Sequence, residues 1–250
     1  MPSFSLFNGL SRNGLILIVA FVGLGAMLAY APSGPLTFAF VLAGWMVSVG
    51  VHEFGHAYVA WKAGDTEVVG KGYLSFDPLK YADLSTSLIL PLIALALGGI
   101  GFPGGAVYLR EDLMRSRTGR SLSSLAGPLG TLLVLVVLAL IVGVGWRPEG
   151  SPVVTALAFL AFLQGTALIL NLLPIPGLDG YGVLRPWLPA AVQRTVRKFE
   201  ALGILVLLAL LFLVPGASGL LIGGAVTLTD GLGVPREAIA LGWDAFMFWK

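Results

Sequence analysis

His52 and His56 are the only two histidines among 250 residues, and they stand four apart in Val51-His52-Glu53-Phe54-Gly55-His56-Ala57. On a helix, residues four apart share a face. Both imidazoles can therefore turn toward one metal ion. Glu53 follows the first of them, close enough to serve as general base on water at that metal. The H-E-x-x-H spacing supplies two zinc ligands and a base for metal-assisted peptide hydrolysis. The motif requires a helix, and it sits near the end of an apolar run over 36–61.

A catalytic zinc takes about three protein ligands and keeps one position open. There is no third histidine and no cysteine, so the third ligand must be a carboxylate. Few acids lie at apolar depth: Glu53, Asp179 and Asp83. An ionisable group there is a functional candidate. Asp179 lies in a Pro/Gly-rich break, where no helix constrains its aim. Asp-Gly is also a common turn former. The residues alone leave Asp179 open between ligand and turn.

The elements that must position these groups are apolar. The chain is 57% hydrophobic and 11% charged, where soluble domains carry about a quarter charged residues. Several runs reach the roughly 20 residues that a helix needs to cross a bilayer. One integral membrane domain over 1–250 is expected, with a catalytic core over about 36–180. A soluble enzyme is excluded. A net charge of +2 and the lack of a basic arm with interleaved aromatics argue against nucleic acid. The absence of cysteine removes disulfides, thiolate ligands and thiol nucleophiles.

Spans are expected over 14–31, 36–61, 122–145, 153–173 and 202–226, the last kinked at Pro215-Gly216. Arg12, the apolar stretch 15–28 and Ala29-Tyr30-Ala31 loosely resemble a signal peptide. Pro32 disfavours cleavage, so a retained first span is expected. Residues 66–69 and 73–76 flank Gly70-Lys71-Gly72 and read as a short β-hairpin. Residues 84–109 are apolar but broken by Pro91 and by Gly98-Gly99-Ile100-Gly101-Phe102-Pro103-Gly104-Gly105. The connector 181–200 is basic and amphipathic. Trp243, Phe246, Phe248 and Trp249 suit a membrane interface. The expected fold class is an all-α polytopic membrane protein. It has five to six transmembrane helices, a short membrane-associated β-hairpin and a re-entrant Gly/Pro-rich segment.

Charge distinguishes five spans from six. If 84–109 crosses fully, the basic loops at 110–120 and 185–198 lie opposite Lys62, Lys71 and Lys80, against the positive-inside rule. If it dips and returns, nearly all basic residues face the cytoplasm, leaving Arg147, Arg236 and Lys250 outside. Backbone breaks at membrane depth are tolerated where protein or a wet cavity covers them. The re-entrant reading also brings the ends carrying His52, His56 and Asp179 to one depth.

With these motifs the chain resembles the site-2 proteases, intramembrane zinc metalloproteases. The resemblance rests on His52-Glu53-Phe54-Gly55-His56 and on Asn171-Leu172-Leu173-Pro174-Ile175-Pro176-Gly177-Leu178-Asp179-Gly180. The second stretch fits the N-x-x-P-x-P-x-L-D-G pattern at every specified position. Ala126-Gly127-Pro128 and, more weakly, Asp77-Pro78-Leu79-Lys80-Tyr81-Ala82-Asp83 match further elements in the family's order. The resemblance implies one zinc held by His52, His56 and Asp179, Glu53 as base, and Asn171 near the substrate or its oxyanion. It also implies a transmembrane protein or peptide substrate and an active site near the cytoplasmic side of the cell membrane. Thr131 stands where the family usually has Asn, which questions substrate positioning rather than metal binding. Tyr81 stands where His is frequent. These residues hold no inserted PDZ and no nucleotide-sensing domain, so the likeness is to a minimal form.

Two other classes compete. A non-proteolytic scaffold or regulator of the same fold would have no need of Glu53. A transporter would suit the broken helices, but the ionisable groups gather in one zinc-like constellation and no halves repeat.

Overall fold

The computed structural model describes residues 9–81, 107–148 and 150–250. Long helices form where apolar runs carry clear start signals. The Ser11 hydroxyl accepts from the Gly14 N–H at 2.9 Å and starts α1, Arg12–Tyr30. Pro35 lies in the first turn of α2, Gly34–Ala63, where a missing N–H costs nothing. Ser116 caps α5, Arg117–Gly145, through Gly119 N–H at 2.9 Å. Pro152 opens α6, Pro152–Leu172. Between α2 and α5 the described residues form two single α-helical turns, α3 (Glu67–Gly70) and α4 (Pro78–Tyr81), and a 3-10 turn, Glu111–Leu113. After α6 come α7 (Asp179–Leu184), α8 (Ala190–Arg197), α9 (Glu200–Leu213), α10 (Ala217–Gly231) and α11 (Arg236–Phe246).

Among the described residues, four helices, α1, α2, α5 and α6, are long and apolar enough to cross a membrane. The protein is a multi-pass membrane protein. Helices α9 and α10 make a fifth if taken as one broken span, bent by 93°. The break falls at the expected Pro215-Gly216, where Gly216 takes φ +85°. Only glycine adopts that backbone freely.

Helix α6 is the axis. Its most apolar stretch is 83% buried, against 17% in α1 and 44% in α2 and α5. Phe159, Leu160 and Leu163 on α6 pack with Phe40 and Trp45 of α2, Leu135 of α5 and Phe246 of α11. Phe246 is therefore a core residue rather than an interface anchor, whereas Phe248 and Trp249 remain half exposed. Gly242 admits α11 against α6, since a Cβ there would meet the Thr155 carbonyl oxygen at 2.1 Å.

The β-hairpin is not present. No strand occurs among the described residues. Asp65 Oδ1 accepts from the Glu67 N–H at 3.0 Å and caps a helical turn. Local bonds continue: Lys71 N to Glu67 O at 3.0 Å, Gly72 N to Val69 O at 3.0 Å, and Tyr73 N to Val68 O at 3.0 Å. These consume the N–H groups that a two-stranded ladder needs. Val68, wholly buried with Ala57 and Ala60 of α2, holds the turn in place. The expected re-entrant segment falls mostly on 82–106, outside the described residues. The count of five to six spans reads as four, or five with the broken pair, among the described residues.

The chain leaves α2 and enters α5 at one end of the bundle. Arg115 N donates to Ala63 O at 3.0 Å, and Arg110 N to Asp65 Oδ2 at 2.7 Å. The start of α1 joins this end through Ser11 N to Ser75 O at 2.7 Å. Asn13 Nδ2 also reaches both Asp77 oxygens at 3.1 Å.

Candidate metal centre

The last third of α2 brings His52 and His56 to one face, with Nε2 atoms 3.0 Å apart and both rings buried. The end of α6 brings the third group. Beyond Leu172, Pro176 and Gly177 hold the centre of a turn closed by Leu178 N to Ile175 O at 3.0 Å, with Gly177 at φ +94°. This is the Pro-Gly order of a type II turn. It starts α7 at Asp179. Gly180 presses back on α6, where a Cβ would lie 2.3 Å from the Leu172 carbonyl oxygen. Asp179 Oδ2 then reaches His52 Nε2 and Oδ1 reaches His56 Nε2, each at 3.2 Å. The three side chains offer ligand atoms within 4.8 Å of one another.

Asp179 begins a helix and also faces the histidine pair. Glu53 is buried beside them, with the Val107 backbone N–H directed at its carboxylate. Asn171 is buried in the last turn of α6. Asp83 lies outside the described residues. Tyr81 is buried, and its hydroxyl donates to the Tyr73 carbonyl at 2.8 Å. Burial, then the charges of Glu53 and Asp77, push its phenol above the ordinary value.

The arrangement fits zinc. Two ligands about 2.0–2.1 Å from one ion at a tetrahedral angle stand about 3.3 Å apart. The 3.0–3.2 Å separations here are close to that. The space between the rings is kept free by Gly127 of α5. A Cβ at Gly127 would lie 2.2 Å from His56 Nε2 and 2.6 Å from His52 Nε2. The outer ring nitrogens are engaged: His56 Nδ1 meets Ser123 O at 2.7 Å, and His52 Nδ1 meets Thr131 Oγ1 at 2.9 Å. A carbonyl only accepts, so His56 Nδ1 carries the proton and its Nε2 lone pair faces inward.

Relatives bear on what such a centre does. Rip2 of Mycolicibacterium smegmatis is 42% identical over 242 residues, covering 94% of this chain and 93% of that protein. Rip2 of Mycobacterium tuberculosis is 43% identical over 241 residues, covering 95% and 92%. YwhC of Bacillus subtilis is 31% identical over 174 residues, covering 66% and 76%. All three carry the provisional name of zinc metalloproteases. The chain belongs to the site-2 protease family. No family model and no solved structure matches it.

In a family of zinc enzymes, His52, His56 and Asp179 form a donor set that could hold the metal. Of the residues that back the centre, the sequence points to Gly127 and Thr131 through the A-G-P element and the position after it, but it does not single out Ser123, and it foresees no contact with the histidines for any of the three. Thr131 touches His52, a contact that the expectation about substrate positioning did not include. The readable signal was its position four residues after Gly127, on the same helical face.

Proposed function

We propose that this zinc metalloendopeptidase hydrolyses peptide bonds within or beside transmembrane segments of other membrane proteins. The observation that carries the reading is the meeting of Asp179, from beyond α6, with the His52/His56 pair, with Glu53 buried alongside. His52, His56 and Asp179 hold the metal. When bound, zinc polarises a carbonyl and acidifies water to a pKa of about 7. Glu53 takes the proton from the attacking water and gives it to the departing amine nitrogen. Asn171 donates its side-chain amide N–H to the carbonyl oxygen as that oxygen gains charge. A substrate helix keeps its carbonyls in its own hydrogen bonds, so it must unwind locally first.

The active site faces the cytoplasm of a cell membrane. Lys62, Lys71, Arg115, Arg117 and Arg120 cluster at the centre's end of α2 and α5, while Arg147 lies at the far end of α5. That asymmetry follows the positive-inside rule. Residues 1–250 act as one membrane metalloprotease domain with its catalytic core over about 36–180.

The test uses purified protein in detergent and a membrane-spanning model substrate. Glu53→Gln should keep its zinc and lose cleavage by at least about 10²-fold. Asp179→Ala should lose the zinc as well. A Glu53→Gln protein that cleaves at the wild-type rate would sink the reading.

A further inference from the structure

We propose that Thr131 is a positioning residue for the metal: its hydroxyl accepts from His52 Nδ1 and holds that ring with Nε2 aimed at the ion. The inference rests on the metalloprotease reading above and deepens it. Hydroxyls in apolar helices usually return to their own backbone. Thr37, Ser48, Thr227 and Thr229 do so, bonding the carbonyl four residues back at 2.8–3.0 Å. Thr131 is wholly within α5 and 3% exposed, yet its hydroxyl turns across to α2 and meets His52 Nδ1 at 2.9 Å.

The contact is built by close helix approach. A Cβ at Gly55 would lie 2.6 Å from Ala126 O, and one at Gly130 would lie 3.0 Å from Val51 O. Glycine at both positions lets the backbones of α2 and α5 press together. Ser123, Gly127 and Thr131 then form one stripe at four-residue spacing. Its ends secure the two imidazoles, and its middle leaves the space between them free.

The two anchors differ in kind. His56 is held by a backbone carbonyl, which no substitution removes. His52 depends on one side chain. An imidazole that binds metal through Nε2 must carry its proton on Nδ1, and an acceptor there fixes both tautomer and ring plane. Thr131 supplies that acceptor. Valine has the same shape and no oxygen, so Thr131→Val removes the acceptor and keeps the packing volume.

The experiment measures zinc affinity by competition with a fluorescent zinc chelator in detergent, for wild type, Thr131→Val and Thr131→Ser. Unfolding of the zinc-free proteins is followed alongside. Thr131→Val should bind zinc about 10–100-fold more weakly, the range for lost outer partners of metal-bound histidine. Thr131→Ser should keep wild-type affinity, and the zinc-free valine variant should unfold at the wild-type temperature. Unchanged affinity in Thr131→Val overturns the proposal, and so does an equal loss in Thr131→Ser, since the hydroxyl would not be the cause. Wild type without zinc would overturn the metalloprotease reading itself, a result distinct from either.

Discussion

Asp179 carries the strictest demand at the level of single residues, because its two oxygens face two different imidazoles. Gly127 carries the complementary one, because the space it leaves is the space a metal would fill. Gly127→Ala would set a Cβ within 2.2–2.6 Å of both Nε2 atoms. That is shorter than carbon and nitrogen approach without bonding, so a ring or the helix must move. We expect zinc content to fall from about one per chain to near zero, with helical circular dichroism retained. Gly143, on the same helix, meets nothing within 4 Å. Gly143→Ala should keep its zinc and gain about 0.5–1 kcal/mol of stability from helix propensity. Equal zinc content in the two variants would contradict this account of the stripe.

At the level of elements, a buried carboxylate fastens the described residues just after α2 to those just before α5. Asp65 is fully buried and accepts from the N–H groups of Glu67 and Arg110. It therefore caps α3 and ties residue 110 to the end of α2. Asp65→Ala would leave both N–H groups without that acceptor. An unpaired buried donor costs about 1–3 kcal/mol. We expect a loss of about 2 kcal/mol in unfolding stability in detergent, with the zinc retained, since no metal-facing group is touched. A variant as stable as wild type would show that the 65–81 segment is held by its apolar contacts instead. The same carboxylate explains why a hairpin did not form: it starts a helical turn where the β-branched residues suggested a strand.

At the level of the molecule, one end of the bundle gathers the chemistry. The start of α1, the ends of α2 and α6 and the start of α5 lie there. Gly203 of α9 joins them, since a Cβ on it would be 2.5 Å from Pro176 O. The opposite end holds Gly34 against Phe248. The broken pair α9 and α10 therefore carries the chain between the two ends despite its bend. The chain has no cysteine, so single introduced cysteines give clean topology signals. Lys198→Cys should react with an impermeant maleimide only after cells are opened. Arg147→Cys and Glu237→Cys should react in intact cells. Labelling of Lys198→Cys from outside would reverse the orientation assigned to the centre.

The sequence by itself determined the membrane class and the spans around the centre, and it limited the candidate metal ligands to histidine and carboxylate. Those properties are local: hydropathy over about 20 residues, a four-residue histidine spacing, and the exclusion of other ligands by composition. It left Asp179 between turn and ligand, because an Asp-Gly pair serves either until the end of α6 is placed against α2. The tertiary structure sets Asp179 at the start of α7 with its two oxygens 3.2 Å from the two imidazoles, a place compatible with both. It also replaced the hairpin with helical turns, through the Asp65 cap and the burial of Val68 on α2. The partner of His52 was out of reach for a related reason. Thr131 is 79 positions away, and only the close approach of α2 and α5 at their glycines brings its hydroxyl to the ring.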